Sequence, residues 1–501
     1  MLLIFPPVSK PCEPPAGLAA ISGALLANGV DCFVLDANLE GLCYLLGLSP
    51  AWGDTWTRRA VRHLPAHLRG LRSREGYQLI DSYRRSVADV NRVLEKAAGL
   101  SSVRVGLANY ADRDLSPLRS VDLLQAAENP ERNPFYPYLV QRLAGILEEG
   151  AAGTVGISIC YLSQALTGFA AAGILRRLDP DVRIIMGGGL VTSWMSRPGW
   201  NNPFGGLVDE MVAGAGEKPL LALLGKDTGN GDRLPDYGFC RTGDYFAPGF
   251  ILPYSASSGC YWGRCSFCPE RAENGLYRAT APQTAMDNVR KLASKLNPCL
   301  IHFLDNAMSP ALLKRIAEQG LGVPWYGFAR VSDELGDPDF CRALRASGCV
   351  MLQLGLESGD QDVLDRLEKG ITLNGSSRVL EALKRAGIGT YVYLLFGTPP
   401  ETLESAEQTL RFIVEHHRKI DFLNTALFNM PVHGPDSADY KSSAFYDADL
   451  TLYTGFSHPS GWDRPQIRSF LQKRFFRHPA ISTIIHRDPP VFTSSHAPFF
   501  L

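Results

Sequence analysis

The 501-residue sequence predicts an α/β protein with two successive parallel-sheet domains and a C-terminal tail. Three observations carry this expectation. From residue 250 to about 430, short apolar runs alternate with amphipathic stretches of helical period, the pattern of repeated βα units. Residues 1–39 and 154–217 show the same alternation, with glycine-rich strand ends. A chain of this length also exceeds one comfortable hydrophobic core, so two or three domains are expected.

Taken in order, Leu2-Leu-Ile-Phe-Pro-Pro begins as a buried strand, Gly17–Ala27 follows as a helix, and Cys32–Leu35 is a second strand ending at Asp36. After an interruption come a strand at Val155–Ile159, a helix from Gln164 to Leu178, and strands at Arg183–Met186 and Val208–Val212. That order predicts an open doubly wound domain. Gly187, Gly188 and Gly189, then Gly214 and Gly216 before Glu217, fall at strand ends, where glycine lets a backbone approach a bulky polar ligand; tight turns use glycine in the same way.

The second domain reads as strands at Leu252–Ser255, Leu300–Leu304, Trp325–Ala329, Val350–Leu354, Thr390–Leu395 and Phe422–Leu427. Helices fall between them at Ala281–Leu296, Pro310–Gln319, Pro338–Ser347, Ser376–Ala386 and Glu401–His416. Six units are too few for a closed eight-stranded barrel, so a partial (βα)6 barrel is expected.

Three cysteines stand within nine residues after the first of these strands, in Cys260-Tyr-Trp-Gly-Arg-Cys265-Ser-Phe-Cys268. A cube-shaped [4Fe-4S] cluster held here would lack one of its usual four thiolates, leaving one iron open to a ligand. Structural zinc is the competing reading, but it takes four closed N/S ligands. The outside candidates, Cys240, Cys299 and His302, lie some twenty to thirty-five residues away. Buried inert thiols are the third reading.

The loop, with Phe267 before its last cysteine, resembles the cluster loop of radical S-adenosylmethionine (SAM) enzymes, whose usual spacing is C-x3-C-x2-C. This chain has C-x4-C-x2-C, a form similar to one in cobalamin-binding members of that superfamily. The resemblance makes Cys260, Cys265 and Cys268 the metal ligands and catalytic residues. Parallel sheets collect ligands at the carboxyl ends of their strands, and there stand Asp305 and Asn306, Arg330, and Glu357 with Ser358. By resemblance, the Leu-Gly-Leu-Glu-Ser-Gly segment places the Glu357 carboxylate and Ser358 hydroxyl against the nucleoside part of SAM. Capping of the following helices is the alternative use of such residues.

The amino-terminal motifs resemble, in their order, the cobalamin-binding, Rossmann-like domain that precedes a radical SAM core. They are Pro6, Pro15 with Gly17, Leu35-Asp36, Ser158, Tyr161 with Leu162 and Gln164, and the glycine ends at 187–189 and 214–217. The D-x-H-x-x-G signature that gives cobalt a lower histidine elsewhere is absent: Asp36-Ala-Asn38-Leu-Glu-Gly41 has Asn in place of His. The resemblance brings Tyr161, Leu162 or Gln164 near the lower face of cobalt. It divides the chain into a cobalamin-binding domain at 1–235, a radical SAM barrel at 245–435 and a docking extension at 436–501.

Residues 40–153 depart from the resemblance as a helical insertion, with patterns near Tyr83–Leu100 and Phe135–Glu149, Trp52, Trp56, and arginines at 58, 59, 62, 69, 72 and 74. Nucleic acid binding needs a dense positive face. Here Glu75, Asp81, Asp89 and Glu95 interleave with the arginines and the whole chain carries a formal charge of −1, so a solvated helical face is expected. The tail is rich in aromatic residues and carries His458 and His496 with Trp462, Phe475-Phe476 and Phe492, side chains expected to dock against the barrel.

No apolar run has the length of a membrane span and the start lacks a signal-peptide pattern. Eleven dispersed cysteines do not look like a disulfide framework, so a reducing cytoplasm is the expected location. The resemblance implies an electron donor such as flavodoxin or ferredoxin, a 5′-deoxyadenosyl radical, and methylation of an unactivated carbon of an organic substrate. Cobalamin-dependent cyclisation or rearrangement is the alternative activity, and a non-catalytic cobalamin or iron–sulfur sensor a further one.

Overall fold

The computed structural model describes residues 1–48, 53–99, 101–150, 153–226, 234–273, 275–434, 437, 439–490 and 496–501. Trp52, Leu100 and Phe492 lie outside these. The chain forms two compact units, one built on Met1–Phe250 with Asp447–Leu452, the other on Ile251–Tyr446 with Tyr453–Pro489 and the C-terminal residues.

The first unit is organised by a parallel sheet of β1 (Leu2–Ile4), β2 (Phe33–Leu35), β3 (Thr154–Ser158), β4 (Arg183–Gly187) and β5 (Glu210–Met211), in the order β2-β1-β3-β4-β5. Strands this apolar need cover on both faces. On one, Leu3, Phe5 and Val34 pack with Leu18, Leu25 and Leu221 of helices Ala16–Ala27 and Glu217–Leu223. The chain leaves β1 to one side for β2 and returns to its other side as β3, so the strand order reverses between β1 and β3. In open α/β sheets such a reversal opens a crevice at the carboxyl edge.

The insertion holds helices Ala37–Gly47, Thr55–Leu71, Ile80–Ala97, Ser120–Glu128 and Tyr136–Glu148, and an antiparallel ribbon of Val103–Val105 and Tyr110–Asp112. Its charges are not uniformly solvated, which corrects the sequence reading. Asp81 faces water, but Asp89 is buried and receives bonds from Trp56 Nε1 at 2.7 Å and Arg59 at 3.1 Å, with His67 Nε2 at 3.2 Å. Burial alone would raise the Asp89 pKa; the Trp56 and Arg59 donors outweigh it and hold the carboxyl below its usual value. The cluster ties helix Thr55–Leu71 to helix Ile80–Ala97, a pairing that alternating charge does not reveal.

The second unit is a six-stranded parallel sheet in sequential order: β6 (Ile251–Tyr254), β7 (Leu300–Phe303), β8 (Trp325–Ala329), β9 (Cys349–Glu357), β10 (Gly389–Phe396) and β11 (Phe422–Leu427). All six expected strands are present. Intervening helices begin where local chemistry starts them, with proline in the first turn at Pro282, Pro310 and Pro338 and with Thr372 and Thr402 side chains as N-caps. The fourth strand runs beyond its expected end at Leu354 because a bulge between Gly355 and Glu357 absorbs a residue without ending the pairing. A short helix at Gln361–Arg366, capped by Asp360, was not expected.

Most of the tail docks on this barrel. Phe470 and Phe475 pack against Phe396, Trp462 Nε1 donates to Glu401 at 2.9 Å, the His496 ring stacks on Tyr391 at 4.6 Å, and Phe500 meets Phe422 edge-on. The Asp447–Leu452 segment instead belongs to the first unit, where Asp449 accepts from Ser120 N and Leu450 donates to Leu118 O.

Candidate active site

The cysteine loop is fixed at both ends. Past β6, the buried Asp305 at the end of β7 accepts from Ala256 N at 3.1 Å and from the Ser257 hydroxyl at 2.5 Å, so its carboxylate sets the path by which the chain enters the loop. Burial raises the Asp305 pKa, against the opposing effect of these donors. Farther on, the loop is stapled to the turn after helix Gln361–Arg366: Ser266 N donates to Leu367 O at 3.1 Å, Trp262 Nε1 to Glu368 O at 2.9 Å, and Arg271 pairs with the Glu368 carboxylate at 2.6 Å. Gly370, at φ +65°, lies flat against the Trp262 ring, and a Cβ there would stand 2.1 Å from it. Only glycine accepts both constraints.

Cys260, Cys265 and Cys268 line one cavity of about 250 Å³ together with Glu270, Arg271 and Leu276. None is in a disulfide. Among the described residues the three thiols share this cavity without being gathered into a closed metal site. Burial pushes the Cys265 thiol up, opposed by the charges of Lys369 and Arg330, and burial also raises Cys268. A trio of soft thiols from one loop, facing a shared cavity with cations beside it, fits an iron–sulfur cluster as the group held here.

Charge is arranged around Cys265 by residues from two strand ends and from the turn after helix Gln361–Arg366. Arg330, after β8, places Nη1 3.9 Å from Cys265 Sγ. Glu357 ends β9 at φ +67°, a conformation a non-glycine residue rarely adopts, and its carboxylate pairs with Lys369 Nζ at 2.8 Å in a largely buried bridge. Lys369 in turn lies 5.6 Å from the centre of the Phe267 ring. The structure therefore brings Cys265, Phe267, Arg330 and Glu357 into one neighbourhood. Ser358 is buried on another side, beside Thr409 Oγ1 at 3.3 Å and accepting from Asp360 N, so its hydroxyl serves the chain itself. Asn306 is exposed. Lys369 and the docking role of Trp262 escaped the sequence reading. Glu368-Lys369-Gly370 matches no motif, and its one signal is a glycine just after a charged pair.

In the first unit, the residues expected to meet cobalamin follow the carboxyl ends of β1, β3, β4 and β5 or open the first helix. Tyr161 and Leu162 are exposed, as are Gly17 and Gly214, while Pro6 and Pro15 are buried and Ser158, Gly216 and Glu217 half-buried. Gln164 is spent within the chain: its Oε1 accepts from Cys160 N and Tyr161 N, and its Nε2 donates to Pro6 O at 2.7 Å. It clamps the β1 and β3 loops across the strand reversal. Gly188, at φ +105°, is required by close packing, since a Cβ would lie 2.5 Å from Ile159 O, whereas Gly187 and Gly189 have more room. An exposed aromatic and apolar pair beside open glycines at a strand reversal fits a large planar ligand.

Residues 254–413 match the family model of the radical SAM superfamily, and this segment is a radical SAM domain. It holds the cysteine loop and four of the barrel strands in full, β7 to β10. Over 307 residues the chain is 24% identical to an uncharacterised methyltransferase of Pyrococcus horikoshii, covering 54% of this chain and 66% of that one. It is 25% identical over 295 residues to an anaerobic magnesium-protoporphyrin IX monomethyl ester cyclase of Rubrivivax gelatinosus, covering 54% and 50%. The chain thus matches between half and two thirds of the length of these curated relatives. Its fold is similar to that of the radical SAM methyltransferase TsrM of Kitasatospora setae, with a TM-score of 0.52, 16% identity, and coverage of 90% of this chain and 80% of that one.

Proposed function

We propose that this protein is a cobalamin-dependent radical SAM enzyme that transfers a methyl group to an unactivated carbon of an organic substrate. The observation that carries the reading is the convergence of Cys260, Cys265 and Cys268 on one cavity within the radical SAM domain. The strand reversal of the first unit and the likeness to TsrM, of which a structure with cobalamin and a [4Fe-4S] cluster bound is known, support cobalamin as second cofactor. When bound, the cluster with SAM supplies one-electron cleavage chemistry, and cobalamin a transferable methyl group. The chain's own residues hold and orient. The three thiolates would ligate the cluster, Glu357 on its bulge would meet the nucleoside, Asp305 fixes the loop's entry, and Tyr161 and Leu162 would lie against the corrin. An external reductant of the flavodoxin or ferredoxin kind would supply the electron. No described helix is long and apolar enough to cross a membrane.

Anaerobic reconstitution with iron, sulfide and hydroxocobalamin, then addition of SAM and reductant, tests the reading by mass spectrometry. Methyl transfer to an unactivated carbon yields both 5′-deoxyadenosine, which carries off the abstracted hydrogen, and S-adenosylhomocysteine, with a product one methyl carbon heavier; 5′-deoxyadenosine without S-adenosylhomocysteine speaks against it. Two relatives named as cyclases favour a second reading, ring formation without methyl transfer; it yields 5′-deoxyadenosine and a product that has lost hydrogen. Neither nucleoside product, with both cofactors loaded and candidate substrates supplied, would overturn both readings. Cys265→Ala is expected to abolish cluster assembly, read as iron and sulfide content per chain, and a full complement in that variant would refute the ligand assignment.

A further inference from the structure

The long cysteine loop raises a question the functional reading leaves open: what the longer C-x4-C spacing does. Between Cys260 and Cys265 the chain inserts Trp262, whose ring is wedged against Gly370 and whose Nε1 is tied to Glu368 O at 2.9 Å. Arg330 lies over that ring at 4.4 Å. One of its terminal nitrogens donates to Lys369 O, and the other lies 3.9 Å from Cys265 Sγ. Ring, carbonyl and sulfur thus fix the planar guanidinium on three sides. Such a fork is recruited where direction as well as charge matters.

We propose that Arg330 is a redox-tuning residue that acts on the cluster through Cys265, and that Trp262 is the platform positioning it. The inference rests on the cluster assignment made above. When the oxidised cluster takes one electron from a reductant, negative charge increases on its sulfurs and thiolates, and no bond is made or broken. A guanidinium aimed at one thiolate stabilises that added charge and raises the reduction potential, as hydrogen bonds to sulfur and net charge do in iron–sulfur proteins generally. Stacking on Trp262 holds it there by cation–π attraction and removes the alternative of turning into water.

The experiment is a redox titration of the reconstituted full chain, followed by electron paramagnetic resonance of the reduced cluster, with iron and sulfide content measured in parallel. Arg330→Gln is expected to lower the ratio of reduced to oxidised cluster at a fixed ambient potential about tenfold, equivalent to about 59 mV for a one-electron couple. Arg330→Lys keeps the charge but not the fork and should fall between Arg330→Gln and the unmodified chain. Trp262→Leu should move in the same direction as Arg330→Gln. An unshifted potential in Arg330→Gln with full iron content would overturn the proposal, more so if SAM then fails to perturb the resonance, since Arg330 would be a SAM contact instead. Cluster loss in all three variants would overturn it as well, making the residues folding elements of the loop. An unmodified chain that takes up no cluster would fail the functional reading rather than this one.

Discussion

Glu401, just past β10, is buried at 1% exposure and accepts from Gly397 N and Trp462 Nε1. Loss of hydration outweighs those donors and pushes its pKa from 4.5 up to about 7. The folded chain therefore holds a proton that the unfolded chain releases between these values. Stability is greatest below pH 4.5 as far as this group is concerned and is lost as pH rises toward 7, by ~3 kcal/mol. Glu401→Gln keeps an acceptor for both donors and removes the charge, so its denaturation midpoint should vary less with pH over that window. A second residue-scale expectation concerns Gly370: Gly370→Ala combines a positive φ with collision against Trp262 and should cost about 2 kcal/mol, with reduced cluster retention, measured by chemical denaturation and iron content. Single residues were the least legible level of this sequence. Cys260, Cys265 and Cys268 announce themselves by spacing, but Lys369 becomes a partner of Glu357 only through a turn and a bulge that no local pattern encodes. Gln164, in the first turn of the helix that follows β3, proves to be a clamp because its amide is spent on Pro6 O and on Cys160 N and Tyr161 N.

At the scale of elements the sequence was far more explicit. Periodicity identified all six barrel strands, since each must be apolar on both faces and each following helix on one. Errors fell where geometry is decided by neighbours. Gly355 reads as a terminator, yet β10 continues to pair with β9 past it. The arginine-rich helix Thr55–Leu71 reads as solvated, yet a partner helix buries Asp89 against it. The tail was legible only as a mass of aromatic side chains seeking cover. Its last turn, Ala497–Phe500, places the Phe500 ring over Gly389, where a Cβ would come within 2.3 Å. Phe500→Ala should cost about 2 kcal/mol in chemical denaturation by uncovering the start of β10 and β11, and an unchanged midpoint would show that the tail adds no stability to the barrel.

For the whole molecule, composition and rhythm were enough to anticipate two α/β units, because each sheet carries its own alternation and glycine-marked strand ends. They did not reveal that Asp447–Leu452 returns to the first unit after the barrel has been built, since those backbone bonds to Leu118 and Ser120 follow no local pattern. The seal made by His496 and Phe500 at the amino ends of β10 and β11 bears on how the protein is born. Translation is vectorial, and these residues are made after all six strands. All six strands leave the ribosome while the apolar starts of the last two still lack their cover. The barrel gains this cover only once residues 496–500 have emerged, and the nascent chain passes through a stage in which Tyr391 and Phe422 lack it, a stage at which chaperones can engage it.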